Sequence, residues 1–260
     1  MGSRWTTLTP DDFAALWFSA ANDRFPPLLR YNSRFEYKEQ YEAHRARVSE
    51  GLSDDEMDKI RHAFHTVATG DVRIEILGGR RRGRTGTGDI HEYRVLGVRT
   101  ASHAVILVQA AVGGIDGSIS ILTCQPESLG GMLAKAIPPL NQGQRRPATF
   151  HHQDLRSTTD EHFRDAKRES ARTEFKRLLR RPIDGGGCAE VFVGTISDRN
   201  GAWDSIQWHD VSEDGRYTER HTDDHIEVRP ATPQELARNF TLWVEDSEKW
   251  LREDRETAWN

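Results

Sequence analysis

The chain has 260 residues, with 36 Lys plus Arg against 41 Asp plus Glu, so its formal net charge is −5. This length allows one large domain or two small ones, and the acidic balance argues against a dedicated binder of duplex DNA, which usually carries a basic excess. No apolar run approaches the roughly 20 residues of a membrane helix. Cys124 and Cys188 each stand in an apolar stretch, which is typical of buried thiols rather than a disulfide. These features predict a reduced, cytoplasmic protein without membrane insertion.

Three helices are predicted in the first part of the chain. Thr9 is a suitable N-cap for the first helix, because proline and an acidic turn follow it. A polar helix is predicted over residues 34–50. Ser53 and Glu56 have the spacing of a capping box and begin a third helix, which Gly70 ends.

The pattern then changes to strands. Apolar and charged residues alternate over residues 72–76, which predicts a half-buried strand. Three further strands are predicted, and a helix that starts at Pro126 follows them. The predicted ranges of these strands are 93–98, 104–111 and 119–124.

The second part of the chain repeats this plan. Residues 141–158 are polar and predict a linker, and a charged helix over 159–181 is expected to end at the glycines 185–187. Strands over 188–196, 205–209, 217–220 and 226–228 precede a helix that starts at Pro233. Because consecutive strands joined by short turns pair antiparallel, we predict an α+β fold in which one antiparallel sheet is shared by two related halves. The predicted halves are residues 1–140 and 159–260, integrated in one domain.

The most suggestive motif for chemistry is the basic segment, residues 78–89, with its glycines and four arginines. It resembles a phosphate-binding loop in which Arg84 replaces lysine, but such a loop needs a helix after it. Since a strand is predicted there, we interpret the segment as a long, mobile hairpin loop that contacts an acidic partner or RNA. A solvated run of arginines is the alternative.

Other candidates for catalysis or metal binding are incomplete. His62 and His65 lie one helical turn apart, and residues 221–227 are rich in His and acidic groups, but neither set provides all the ligands of a metal site. His209 and Asp210 could belong to a hydrolytic triad, which needs a third group, whereas the apolar surroundings of Cys188 favour burial over nucleophilic function. We therefore predict no catalytic residue, cofactor or metal. A nucleotide- or metal-dependent enzyme that uses the basic segment is the alternative function, and an RNA-binding module is a second alternative.

Several short strings resemble one protein family. Residues 8–17, Leu-Thr-Pro-Asp-Asp-Phe-Ala-Ala-Leu-Trp, with Pro-Pro-Leu-Leu at 26–29, are similar to the start of EspG-family proteins, the type VII (ESX) secretion-associated chaperones of actinobacteria. The resemblance continues through the Pro-Glu-Ser-Leu and Ile-Pro-Pro-Leu motifs of residues 122–140 and resumes at 189–194 and 230–236. It rests on the order and spacing of these motifs over residues 8–244.

The resemblance implies an α+β fold with quasi-twofold symmetry, a central antiparallel sheet, helical bundles and no enzymatic activity. It implies a cytoplasmic chaperone that keeps a PE/PPE-like or other ESX substrate soluble by covering the apolar tip of the PPE-type partner. The covering surfaces would be the sheet, the basic segment, and the helices over 159–181 and 232–250. The free chain is expected to be a monomer or a homodimer that binds no nucleic acid.

We expect two kinds of partner contact. Arginines of the basic segment would steer the partner, and apolar side chains of the two helices would contact it, with ordinary core packing as the alternative for the apolar set. The residues are Arg80, Arg81, Arg82 and Arg84 for steering, and Phe175, Leu178, Leu179, Trp243 and Trp250 for apolar contact.

Overall fold

The centre of the molecule is a ten-stranded antiparallel sheet. The computed structural model describes residues 5–81, 88–155, 166–198 and 200–258. The strands are β1 Thr6–Leu8, β2 Val72–Arg81, β3 Ile90–Arg99, β4 Ala104–Val112, β5 Ile115–Cys124, β6 Ala148–His151, β7 Ile183–Val193, β8 Asp204–Val211, β9 Gly215–His221 and β10 His225–Pro230. Their order across the sheet is β1-β5-β4-β3-β2-β7-β8-β9-β10-β6.

The helices lie on both faces of this sheet. They are α1 Pro10–Trp17, α2 Lys38–Glu50, α3 Asp54–Thr69, α4 Leu129–Ala136, α5 His152–Leu155, α6 Ala166–Leu179 and α7 Pro233–Ala258. A 3-10 turn, Pro126–Ser128, leads into α4. Among the described residues no helix is long and apolar enough to cross a membrane.

The element order is doubled along the chain. Each half begins with a short strand that pairs with the last strand of its own half, β1 with β5 and β6 with β10. Helices follow, then four antiparallel strands and a final helix. The halves join where β2 pairs with β7, with Val72 opposite Val193. This arrangement confirms the predicted α+β fold around one antiparallel sheet.

The helix starts agree with the capping residues in the sequence. The Thr9 hydroxyl accepts a hydrogen bond from the backbone N–H of Asp12 at 3.2 Å. In α3 the Glu56 carboxylate accepts from the backbone N–H of Ser53 at 3.0 Å, and the Ser53 hydroxyl accepts from that of Glu56 at 3.4 Å. Both caps satisfy N–H groups that have no partner inside a helix.

Three segments that were not predicted as strands contain strand residues. The predicted linker contains β6 and α5, because Phe150 is buried and β6 pairs with β10 along the edge of the sheet. The predicted loop is wrong at residues 78–81, which belong to β2, and the glycines 185–187 belong to β7 rather than to a helix end. Residues 82–87 lie outside the described part of the chain.

These glycines are in strands because aromatic rings occupy the space above them. Tyr93 pairs with Gly78, Gly78 with Gly187, and Gly187 with Trp208, so the four residues form one row across the sheet. A Cβ atom on Gly78 would lie 2.2 Å from the Tyr93 hydroxyl oxygen, and one on Gly187 would lie 2.4 Å from the Trp208 ring. Two large rings thus fit over the centre of the sheet where the halves meet.

Two apolar cores form on opposite faces of the sheet. On the first face, α4 and α7 pack on strands of both halves, with Leu133, Phe240 and Trp208 among the buried side chains. On the second face, α1 and α3 pack on β3, β4 and β5 through residues such as Trp17 and Phe64. The second face is therefore covered mainly over the first half of the chain.

Candidate functional site

Among the described residues, no helix covers the second face of the sheet over the strands near the junction of the two halves. We name this surface the open face and define it by seven side chains. They are Leu77 of β2, Cys188, Glu190 and Phe192 of β7, and Ser205, Gln207 and His209 of β8. Ser205 and Gln207 are exposed and the other residues of β7 and β8 in this set are half-buried. A partner can therefore reach the sheet directly here.

Leu77 is the most informative residue of the open face. It lies on a strand with a neighbour on each side, opposite Arg94 in β3 and Cys188 in β7, and yet 41% of its surface is exposed. A large apolar side chain on an interior strand of a wide sheet is normally covered by another layer of the fold. No described helix covers it, so a partner is a natural source of that layer.

Charged groups border this apolar position. Arg73 is buried, donates to Glu75 at 2.9 Å and stacks 4.1 Å from the centroid of the Phe192 ring. Glu190 lies directly opposite Glu75 across the β2–β7 pair. The open face thus combines apolar side chains with charged groups, of which Arg73 and Glu75 form an ion pair.

Two predicted steering arginines lie at the end of β2, where Arg81 shares the face of Leu77 and Arg80 points to the opposite face of the sheet. Arg80 pairs with His91 and Gly185, and the exposed Arg81 pairs with Ile90. Both are therefore strand residues rather than loop residues. Arg82 and Arg84 lie outside the described residues.

The predicted apolar contacts fall into different environments. Phe175 of α6 is half-buried, with its ring centroid 5.1 Å from that of Phe150, and Leu178 is also half-buried. The side chain of Leu179 lies outside what the structure describes. Trp250 is 45% exposed on α7.

Trp243 differs from the predicted partner contact, because it is a core residue. Only 5% of it is exposed, it packs beside Phe240, and its indole nitrogen donates to Asp204 at 2.8 Å. This indole is therefore part of the fold, which agrees with the core-packing alternative and not with the partner contact predicted for Trp243.

The candidate catalytic groups do not come together. His209 and Asp210 are consecutive in β8, so their side chains point to opposite faces of the sheet. His209 interacts with Glu219 at 3.2 Å, whereas Asp210 pairs with Arg216 at 2.7 Å. His209 and Asp210 therefore cannot act together as two members of a hydrolytic triad.

The described thiols and histidine-rich segments are not arranged as a nucleophile or as a metal site either. Burial raises the pKa of Cys124 to about 11 and also raises that of Cys188, which keeps both as neutral thiols near pH 7. Within the described ranges, no group of three or more His, Cys, Asp or Glu side chains could hold a metal ion. The basic segment leads into the strand β3, which lacks the helix N-terminus of a phosphate loop.

An acidic group with two histidine partners lies beside the open face. Glu219, opposite Gln207 in the sheet, interacts with His209 at 3.2 Å and with His221 at 2.7 Å. The hydrogen bond from His209 lowers the pKa of Glu219 more than burial raises it, and His221 lowers it further. Glu219 is therefore an ionised group that fixes two neighbouring rings.

One signal in the sequence could have identified the open face. Val72, Ile74 and Ile76 point to the covered face of β2, so Arg73, Glu75 and Leu77 share the other face. A leucine that follows two charged residues on the same face breaks the alternation of a half-buried strand. This break marks an apolar position on a polar surface.

Comparison with known proteins gives two consistent findings. The EspG family model matches residues 9–240. Among solved structures, the chain is similar to the Mycobacterium tuberculosis type VII secretion system chaperone EspG5, solved in complex with a PE25–PPE41 dimer. The two share 15% sequence identity over 94% of this chain and 96% of that chain, with a TM-score of 0.57.

At this identity the structural similarity shows a shared fold. A comparison with curated proteins gave no match. The family model, however, matches most of the chain, from the first helix into α7. This chain belongs to the EspG family.

Proposed function

We propose that this protein is a non-enzymatic secretion chaperone of the cytoplasm that binds a PE/PPE-like pair, or another ESX substrate, and keeps it soluble for type VII secretion. The observation that carries the proposal is that the chain shares its fold, over almost its full length, with EspG5, whose structure was solved in complex with a PE25–PPE41 dimer. Family membership over residues 9–240 supports the same function.

The open face is the proposed binding surface. An apolar helical tip would cover Leu77 and the half-buried Phe192, while Gln207 and Ser205 provide hydrogen bonds at the margin. Covering an exposed apolar end stabilises the soluble form of the substrate by mass action, because the bound end is removed from aggregation. Arg81, on this face at the end of β2, and Arg80, on the other face at the same strand end, would steer an acidic part of the partner through their charge.

Co-expression tests this function directly. The chain would be produced with a PE/PPE-like pair, or another ESX substrate, encoded beside it, and the mass of the purified species measured by size exclusion with light scattering. The proposal expects one complex heavier than the 29.6 kDa chain, with the substrate soluble only in its presence. Free chain beside insoluble substrate would contradict this choice of substrate.

The steering role has its own test. The double variant Arg80→Glu and Arg81→Glu is expected to slow capture of the substrate and to reduce the salt dependence of the association rate. The matched control is Arg45→Glu with Arg47→Glu, two exposed arginines of α2. Equal association rates for the two double variants would contradict a specific role of Arg80 and Arg81.

A further inference from the structure

A cavity of about 390 Å³ lies between α7 and the first face of the sheet, opposite the open face and distant from Arg80 and Arg81. The cavity lies beside Asp204, the first residue of β8. Arg80 pairs with Gly185 of β7, and Gly185 pairs with Asp210 near the end of β8. The cavity and Arg80 thus lie at opposite ends of these strands. The lining of the cavity includes two indoles, three carboxylates and one guanidinium, which belong to Trp203, Trp243, Asp204, Asp223, Asp246 and Arg220.

One wall of the cavity is held in place by the fold. Asp204 accepts a hydrogen bond from the indole nitrogen of Trp243 at 2.8 Å and pairs with Arg220 at 2.5 Å. Trp243 itself is buried in the core. The Trp243 indole is therefore a rigid apolar surface, and Arg220 neutralises the Asp204 carboxylate.

The other two carboxylates have no such compensation. Asp223 lies in the turn between β9 and β10, and Asp246 lies on α7, one turn after Trp243. Neither forms a hydrogen bond or ion pair with its side chain among the described residues. The turn is fixed by the backbone N–H of Thr222, which donates to the carbonyl of His225 at 2.9 Å. Two unpaired negative charges therefore face one cavity from two separate elements.

The remaining aromatic group lies at the rim. Trp203 is 45% exposed, and its backbone N–H donates to the carbonyl of Val191 at 2.7 Å, which anchors the residue at the edge of the sheet. Exposed tryptophans that border a cavity are typical of residues that dominate binding energy at interfaces. A planar cation that stacks on an indole and pairs with a carboxylate would satisfy both kinds of group.

We propose that this cavity binds an arginine side chain of a basic segment in a partner protein. Arginine fits better than lysine, because its planar guanidinium stacks on aromatic rings and can bond two carboxylates at once. A protein segment fits better than a lone small cation, because Asp223 and Asp246 are both exposed and neighbouring basic residues of the segment would meet the same negative surface. The inference rests on this cavity alone and does not depend on the substrate bound at the open face.

Peptide binding tests the proposal. The probe is a fluorescein-labelled peptide of four arginines separated by glycines, with a matched lysine peptide, and the readout is fluorescence anisotropy at low salt. The variant Asp223→Asn with Asp246→Asn is expected to bind the arginine peptide roughly tenfold more weakly than the native chain. Trp203→Ala is expected to weaken binding of the arginine peptide more than that of the lysine peptide.

The control is Asp254→Asn, because Asp254 is an exposed acid on α7, roughly 12 Å along the helix axis from Asp246. It should leave affinity within about twofold. Thermal melting checks folding, and the double variant should melt no lower than the native chain because two like charges have been removed. Failure of the native chain to bind, or equal weakening by Asp254→Asn, would overturn the proposal. Equal competition by spermidine would overturn it in favour of a small cation.

Discussion

At the scale of single residues, the buried pair of Arg216 and Asp210 joins the second half of the sheet to the segment that leads into it. The Arg216 guanidinium makes two bonds to Asp210, at 2.7 and 3.0 Å, and donates to the carbonyl of Pro138 at 3.1 Å. The exposed fractions of Arg216 and Asp210 are 1% and 4%. Removing one partner would leave a buried charge without compensation, which is far more costly than the loss of a surface pair.

We expect Asp210→Ala to lower the free energy of unfolding by about 3–5 kcal/mol, because Arg216 would remain buried and charged. The control is Glu42→Ala, which removes the exposed pair with Lys38 and should cost about 0.5 kcal/mol or less. Urea denaturation of both variants gives the two values. Equal losses would show that the buried pair contributes no more than a surface pair.

Glu219 gives a prediction of pH dependence. Its hydrogen bond from His209 lowers its pKa in the folded chain below the ordinary value of 4.5. Its ionised form therefore stabilises the fold above pH 4.5, and this contribution is lost as the pH falls through the lowered pKa. When the pH is lowered from 5 to below the lowered pKa of Glu219, the variant Glu219→Gln should accordingly lose less free energy of unfolding than the native chain. Parallel losses in acid denaturation curves would contradict the assignment.

The sequence predicts buried and capping residues better than it predicts exposed binding residues. Thr9, Ser53 and Glu56 act through neighbours three residues away, so their roles could be predicted from spacing alone. The exposure of Leu77 depends on whether a helix covers β2 on that face, and Trp243 is buried because α7 packs on the sheet. Such properties depend on contacts between distant parts of the chain.

At the scale of elements, the close packing of α4 on α7 depends on one of two neighbouring glycines. A Cβ atom on Gly130 would lie 2.6 Å from the backbone nitrogen of Thr241 in α7. A Cβ atom on Gly131 would meet no atom within 4 Å. The two positions share the same helix and differ only in the face they occupy.

We therefore expect opposite effects from the same substitution. Gly130→Ala should destabilise the protein by about 1–3 kcal/mol, because the backbone of α7 would have to move. Gly131→Ala should stabilise it by up to about 1 kcal/mol through the higher helix propensity of alanine. Thermal or urea unfolding measures both. Destabilisation of similar size at both positions would contradict the packing described for α4 and α7.

The elements that the sequence predicts least well are the short ones and the glycine-rich ones. β6 has four residues, too few for a recognisable period, and it forms by pairing with β10. Gly78 and Gly187 were interpreted as loop or helix-end residues, although they lie in strands beneath Tyr93 and Trp208. Both errors concern partners that are distant in sequence.

At the scale of the whole molecule, the two faces of the sheet are covered unequally. On the first face α4 and α7 pack over both halves, and on the second face α1 and α3 cover only strands of the first half. In the second half, the described part of α6 contacts β6 through Phe175 and Phe150, at the edge of the sheet. The described helices leave the interior strands β7 and β8 accessible on this face, which places the open face at the junction of the halves.

A change of one side chain on this face tests the central claim most directly. Leu77→Glu would be compared with Ile115→Glu, which places the same charge at another exposed apolar residue, 78% exposed in the native chain and outside the open face. Each variant would be co-expressed with the substrate, and the mass of the purified species measured by light scattering. We expect Ile115→Glu to keep the complex and Leu77→Glu to elute as the 29.6 kDa chain alone. A full complex with Leu77→Glu would contradict the open face as the binding surface.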